Sequence, residues 1–281
     1  MRFSARSRWV ATILLGVWTI FVLFPLYWML ITSFKDARAV FGDASFLPFV
    51  DFQPSTAAWE RILGDRGRAL RSLQNSAVVG LTSAAMATAL GCMAGYGLTR
   101  FRYRFGFMRN RDIAFWLVSN RILPPIAIVL PLFILFNVVN LVDTRFGLFL
   151  LYTMFNLPIA AWLMHEYFKQ VPEQLDHAAM VDGASRGQAF LKIAVPLARP
   201  GMIATFLVCL MFAWNEFLFA LIFTFNRAQT LPLLVAGQAT QHGPQWWDIA
   251  AMATITVAPL AVITVVLGNR IVEGLVSGWS D

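Results

Sequence analysis

Apolar positions in this chain do not recur around a polar helical face. They run almost unbroken for twenty residues or more, in six places: about 9–33, 75–98, 113–138, 146–167, 201–224 and 249–269. A helix needs roughly 20 apolar residues to cross about 30 Å of hydrocarbon. Each run therefore predicts a transmembrane helix, and the whole chain, residues 1–281, predicts one all-α polytopic membrane domain with six transmembrane helices. The longest polar segments, about 34–74 and 168–200, are too short to build a core of their own.

Composition agrees with a bilayer as the solvent. Hydrophobic residues make up 58% of the chain and charged residues 13%, against about 25% charged in an average soluble domain. The first run is too long for the apolar stretch of a cleaved signal peptide, and no small-x-small site follows "FPLYWMLITSFK". Cys92 and Cys209 both fall inside apolar runs, so neither reads as half of an extracellular disulfide. The net charge of +7 sits beside the spans, where arginine fixes topology; this argues against nucleic acid as a partner. Arg2, Arg6 and Arg8 precede the first span, and Arg100, Arg102, Arg104, Arg109 and Arg111 lie between the second and third with no acid among them. The positive-inside rule places both segments in the cytoplasm. The loops after spans three and five hold only Arg145 and Arg227. Six spans then leave both termini cytoplasmic. The loop 34–74 is mixed, with six basic and five acidic residues, and weakens the rule without changing the count.

On this topology "LDHAAMVDGASRGQAF", residues 175–190, is cytoplasmic. Pro172 suits a first helical position and Glu173 a first turn. The helix is expected to reach Val181 or Asp182, and Gly183 to take the left-handed conformation that stops it. Ser185 with Gln188 forms an S-x-x-Q capping box for a second helix that carries Phe190, Leu191 and Ile193 and ends near Pro196. Ala178 and Ala179 present a flat surface. Physical chemistry alone leaves two readings: a solvated connector on the membrane, or a docking element. Gly183-Ala184-Ser185-Arg186-Gly187 also matches the G-x-S-x-G nucleophile elbow, but that motif needs a preceding strand and none is predicted.

The stretch "EQLDHAAMVDGASRGQAFLKIAVPLARPG" closely resembles the EAA loop of bacterial ABC importer permeases. "PLYWMLITSFK", "NRILPPIAIVLPLFILF", "YTMFNLPIAAWLMHEYFKQVP", "AWNEFLFALIFT", "TLPLL" and "NRIVEGLVSG" extend the resemblance in order along the chain, to the carbohydrate-type permeases of the maltose and glycerol-3-phosphate importers. It implies the maltose-transporter-type permease fold. It implies a second permease subunit in a heterodimer, a pair of identical ATPase subunits, and a periplasmic or lipid-anchored solute-binding protein. It places the chain in the bacterial inner membrane. The loop's helix would dock on the ATPase and transmit its closure; Ala178, Ala179, Asp182, Gly183, Ala184, Phe190 and Pro196 match the family pattern. His177 stands where the family has glutamate, and Asp176 beside it is the acid that could substitute. The tail "GLVSGWSD" also departs, ending acidic where relatives often end in a basic residue and glycine.

Ionisable groups inside spans are costly and usually face a cavity or a partner. Arg121 lies about nine residues into span three, roughly 14 Å deep at the helical rise. Asn156 lies at similar depth in span four, and Asn215 and Glu216 lie further along span five. With Asn120 and Tyr152 these form the candidate translocation path for a hydroxyl-rich solute. The alternative is that Arg121 and Glu216 satisfy each other or neighbouring helices. His165, expected at an interface, and His242 are isolated, so neither supports a metal site. No G-x-x-x-x-G-K occurs, so ATP and magnesium are expected on the partner ATPase, with no cofactor on this chain and no enzyme activity of its own. Gly91, Gly95 and Gly97 are expected to permit close helix packing. A secondary transporter driven by an ion gradient is the alternative function. It would call for paired intramembrane acids and an internal repeat, but Glu216 is alone and no repeat is visible.

Overall fold

Backbone polar groups in hydrocarbon must be satisfied within the chain, and the apolar runs meet that demand as helices. The structure, a computed structural model, describes residues 5–64, 67–106, 108–122, 124–240 and 243–277; His242 and the last residues of the tail lie outside these. The helices are α1 (Ala5–Thr32), α2 (Ala37–Phe41), α3 (Ala57–Gly64), α4 (Arg68–Arg100), α5 (Asn110–Ser119), α6 (Ile126–Val138), α7 (Arg145–Phe168), α8 (Gln174–Val181), α9 (Arg186–Ala189), α10 (Val195–Leu197), α11 (Arg199–Trp214), α12 (Leu218–Phe223), α13 (Leu231–Ala236) and α14 (Trp246–Ser277). Two-residue ladders join Arg104–Phe105 to Met108–Arg109 and Ala239–Thr240 to Gly243–Pro244.

Among the described residues, four helical stretches are long and apolar enough to cross a membrane: Arg8–Thr32, Arg68–Arg100, Arg145–Phe168 and Trp246–Val266. The stretch Arg186–Leu197 joins α11 at a 75° bend, and together they pass the same test. Two expected spans are not single helices. Span 113–138 starts earlier, at Asn110, and breaks after Ser119 into a 3-10 turn, Asn120–Ile122, before α6 resumes. Span 201–224 breaks after Trp214 and resumes at Leu218.

The chain divides into two compact units. In the first, residues 1–71 and 234–258, the Asp36 carboxylate caps α2 by accepting from the Ala39 N–H at 2.9 Å. The Lys35 ammonium donates to the Ser45 carbonyl at 2.6 Å and lies 4.2 Å from the Trp28 ring centre; burial pulls its pKa below the ordinary lysine value. A small core of Ala58, Ile62, Ala69, Ala251 and Met252 is flanked by the Arg61–Asp248 ion pair at 2.7 Å.

In the second unit, residues 72–233 and 259–281, α7 packs on α5 and on α11. Lipid tails are as apolar as leucine, so close approach, not hydrophobic burial, holds such helices together. Gly91 and Gly95 provide it: a Cβ on Gly91 would lie 2.6 Å from the Ala160 Cβ, and one on Gly95 2.6 Å from the His165 nitrogen. Gly97 instead faces the Tyr103 hydroxyl. His165 is buried rather than interfacial, with its Nδ1 3.0 Å from the Thr99 hydroxyl. Phe136, Leu148, Leu151, Phe219 and Phe223 form one core cluster; Cys92, Tyr96, Met164, Phe168, Ala194 and Ala198 form a second. Both cysteines are buried and free.

The turn between α6 and α7 is tied to the segment after α12 by one side chain. The Asp143 carboxylate accepts from the backbone N–H groups of Phe225, Asn226, Arg227 and Ala228 at 3.0–3.2 Å. Burial alone would raise its pKa, but these donors outweigh it and hold the carboxyl below the usual aspartate value. A depressed folded pKa gives stability that is present above the unfolded value, about 4, and is lost as pH falls through the folded one. Asp143→Asn is therefore expected to melt below the wild type at pH 7 in detergent, with the gap closing below about pH 4. Equal melting of the two proteins at pH 7 would contradict the role given to these bonds.

Candidate functional site

Non-helical backbone at membrane depth is tolerated where it lines a cavity or is buried in protein. Both breaks line one cavity of about 630 Å3. At the first break the Asn120 amide donates back to the Trp116 carbonyl at 2.9 Å, and Pro124 and Pro125, which have no N–H to give, precede α6. At the second the Asn215 amide donates to the Met211 carbonyl at 2.8 Å. Each asparagine thus gives the carbonyl four residues before it, one turn back, a second donor beside its own backbone N–H. Glu216 completes the second break. Its carboxylate accepts from the Phe219 N–H at 2.9 and 3.1 Å and from the Ala220 N–H at 3.2 Å, covering donors at the start of α12.

Five of the six path residues expected from sequence line this cavity: Asn120, Arg121, Tyr152, Asn156 and Glu216. Asn215 does not line it. Arg121 and Glu216 do not pair. The Arg121 guanidinium donates to the Phe155 carbonyl at 3.1 Å and lies 4.0 Å over the Phe212 ring. Asn156, almost fully buried, donates to the Cys209 carbonyl at 3.3 Å. The buried Tyr152 hydroxyl lies beside Glu216 and beside the buried Thr230 hydroxyl, without a hydrogen bond of good geometry to either.

A second candidate site is the polar element between α7 and α11. α8 ends at Val181, and Gly183 follows with φ +90°, the left-handed conformation expected of it. Ser185 accepts from the Gln188 N–H at 3.3 Å while the Gln188 side chain accepts from the Ser185 N–H at 2.8 Å. The Ser185 hydroxyl is thus a helix cap, preceded by a helix and turn in place of the strand a nucleophile elbow requires. The second helix runs through a wide turn at Phe190–Ala194 and past Pro196 to Leu197. Ala178, Asp182, Gly183 and Gly187 are exposed, as are Val181 at 87% and Leu191 at 64%, among the exposed polar side chains of Gln174, Arg186, Gln188 and Lys192. His177 is exposed too, its Nε2 3.7 Å from Glu173. Ala179 and Ala184 are half-buried, and Phe190 packs inward on Tyr96 with ring centres 4.7 Å apart.

One expected surface residue is turned the other way. Asp176 is buried and takes the Arg100 Nε–H at 2.6 Å, the two side chains being 5% and 7% exposed. It is therefore not presented outward in place of the glutamate that His177 replaces. Arg100, the last residue of α4, also donates to the Phe168 carbonyl at 3.3 Å and the Val171 carbonyl at 2.8 Å. One guanidinium so joins α4, the end of α7 and α8.

The chain has a counterpart among known families. The model described as "Binding-protein-dependent transport system inner membrane component" matches residues 87–276. The chain belongs to that family. It is 30% identical to the trehalose/maltose transport system permease protein MalG of Thermococcus litoralis over 262 residues, 92% of this chain and 91% of that one. It is 34% identical to the trehalose transport system permease protein SugB of Mycobacterium tuberculosis over 263 residues, 92% of each chain. Its fold superposes with a TM-score of 0.72, at 21% identity, on a chain from the crystal structure of a bacterial ABC transporter involved in the import of the acidic polysaccharide alginate, covering 96% of this chain and 99% of that one.

The permease is thus the membrane subunit of an ABC importer, a multi-pass protein of the inner membrane that works with a partner permease, an ATPase and a solute-binding protein. It is not an enzyme; ATP hydrolysis belongs to a separate subunit. The ion-driven alternative is set aside by the same matches.

Sequence reasoning missed part of both sites. Trp116, Phe155, Phe212 and Phe219 give the permease cavity aromatic walls. A signal existed: Trp116 and Phe212 each sit one turn before a polar path residue, and Phe155 adjoins Asn156. Arg100 read only as a topology determinant.

Proposed function

We propose that this permease carries a sugar or sugar-like solute and that the cavity at the two breaks is its half of the path. The observation that carries this reading is the meeting of both broken spans at one cavity with aromatic walls and amide, hydroxyl and charged groups. Discontinuous helices at the binding site are a recurring transporter device, and flat aromatic faces with a few directed polar groups suit a hydroxylated ring. The names of the relatives support the class: trehalose/maltose, trehalose and sulfoquinovosyl glycerol permeases, each at least 30% identical over nine-tenths of this chain. On this reading α5–α6 and α11–α12 each count as one broken crossing, which gives six with α1, α4, α7 and α14, and both termini are cytoplasmic. The partner permease is a related but different chain. The ATPase is a pair of identical subunits holding ATP and magnesium, and the solute-binding protein is periplasmic or lipid-anchored.

Met154 lines the cavity and is partly exposed. Met154→Cys in the assembled importer is expected to react with a small charged thiol reagent and lose uptake, and saturating solute should slow the reaction. Full uptake after complete labelling would count against the cavity as the path.

We assign the element from Gln174 to Leu197 to ATPase docking, through the exposed face that includes His177, Ala178, Asp182 and Gly183, with Val181 and Leu191 as its apolar contacts. Phe190 and Asp176 act from inside, holding that face in place. Val181→Cys should label readily in the permease alone and become shielded when the ATPase is bound. Equal labelling in both states would place the contact elsewhere.

A further inference from the structure

An arginine inside a membrane cavity is usually matched by an acid, because an unmatched charge in a low-dielectric setting is costly. Arg121 is not matched. Its two partners are the uncharged Phe155 carbonyl at 3.1 Å and the face of Phe212 at 4.0 Å. The one acid on the same cavity, Glu216, is committed to the N–H groups of Phe219 and Ala220. Among the described residues no carboxylate lies within ion-pair distance of Arg121. A guanidinium has five N–H donors in a planar fork that matches a flat oxyanion in bidentate fashion, and here one nitrogen is engaged. The carbonyl and the ring fix the fork in place, so little side-chain entropy remains to be lost when a ligand takes it.

We propose that the solute carried by this permease bears an anionic group, a carboxylate or sulfonate, and that Arg121 is the residue that reads it. The anion supplies the ion-pair partner that Arg121 does not have in Glu216, and the walls of Trp116, Phe155 and Phe212 take the ring to which it is attached. This rests on the reading of the cavity as the solute path. Arg121 thereby sets specificity for charge, while Asn120, Asn156 and Tyr152 remain for hydroxyl groups.

The test uses the complete importer in proteoliposomes, with its own solute-binding protein. It is offered pairs of radiolabelled disaccharides that differ only in charge: a uronic acid disaccharide with its neutral primary alcohol, and a 6-sulfonated disaccharide with its 6-hydroxyl form. At least one acid is expected to be taken up faster than its neutral partner. If no acid is carried faster than its neutral partner, the proposal falls. In complexes assembled to equal levels, Arg121→Gln should lower the acid-to-neutral uptake ratio by about ten- to hundredfold, the value of a charge-assisted hydrogen bond. Arg121→Lys should recover part of that ratio, since it keeps the charge but not the fork. Equal loss of both solutes in Arg121→Gln would retire Arg121 as the reader of charge while leaving the cavity as the path. Unchanged uptake of both would overturn the proposal and the cavity reading together.

Discussion

Arg100→Leu is expected to destabilise the permease by about 3–5 kcal/mol, the usual cost of stripping one partner from a buried ion pair. The change leaves the Asp176 carboxylate buried without its cation and frees the carbonyls of Phe168 and Val171. The consequence reaches function because the same guanidinium fixes α8 to the ends of α4 and α7. The elbow would then move without carrying the spans with it. In detergent the variant should melt well below the wild type. In proteoliposomes its ATPase should run without stimulation by the solute-loaded binding protein. Replacing both residues, Arg100→Leu with Asp176→Leu, removes the orphaned charge. Melting should then recover in part, whereas coupled transport should not. A single variant that melts as the wild type would show that the pair is incidental.

Gly95→Leu is expected to abolish assembly. A Cβ there would stand 2.6 Å from the His165 nitrogen, 2.7 Å from the Met164 carbonyl carbon and 2.8 Å from the Met164 Cβ. Two of these atoms are backbone of α7, so relief requires the helices to separate. Gly95→Ala should already cost about 1–3 kcal/mol, as overpacking does. Gly16, with open space around it, serves as the control and should accept leucine in the isolated subunit. Size-exclusion chromatography of the co-expressed complex reads the result. Normal assembly of Gly95→Leu would mean that α4 does not lie against α7 as described.

The parts of this molecule that sequence made legible are those fixed by neighbours in the chain. The elbow is one: Gly183 at φ +90° and the reciprocal Ser185–Gln188 bonds follow from residues within three positions of each other. The long spans are another, since twenty apolar residues leave few alternatives. The breaks were not legible, because Asn120 and Arg121, or Asn215 and Glu216, hardly change the mean hydropathy of a window of about twenty residues. Asp176 was misjudged for a different reason. Its surroundings on α8 read as an exposed polar turn, and the residue that draws it inward, Arg100, lies 76 positions away. The cavity shows both cases. Its polar residues stood out against apolar sequence, while its aromatic walls were marked only by their spacing, one turn before or next to a polar residue.

Solute is proposed to pass between the two broken spans of this chain. The most direct test is an electron cryomicroscopy structure of the complete importer trapped with ATP and its transported solute. Solute density is expected between the turn at Asn120–Arg121 and the turn at Asn215–Phe217, against the rings of Phe155 and Phe212 and within hydrogen-bonding reach of Arg121. Solute density held wholly by the partner permease, with both turns and their rings out of contact, would contradict that route.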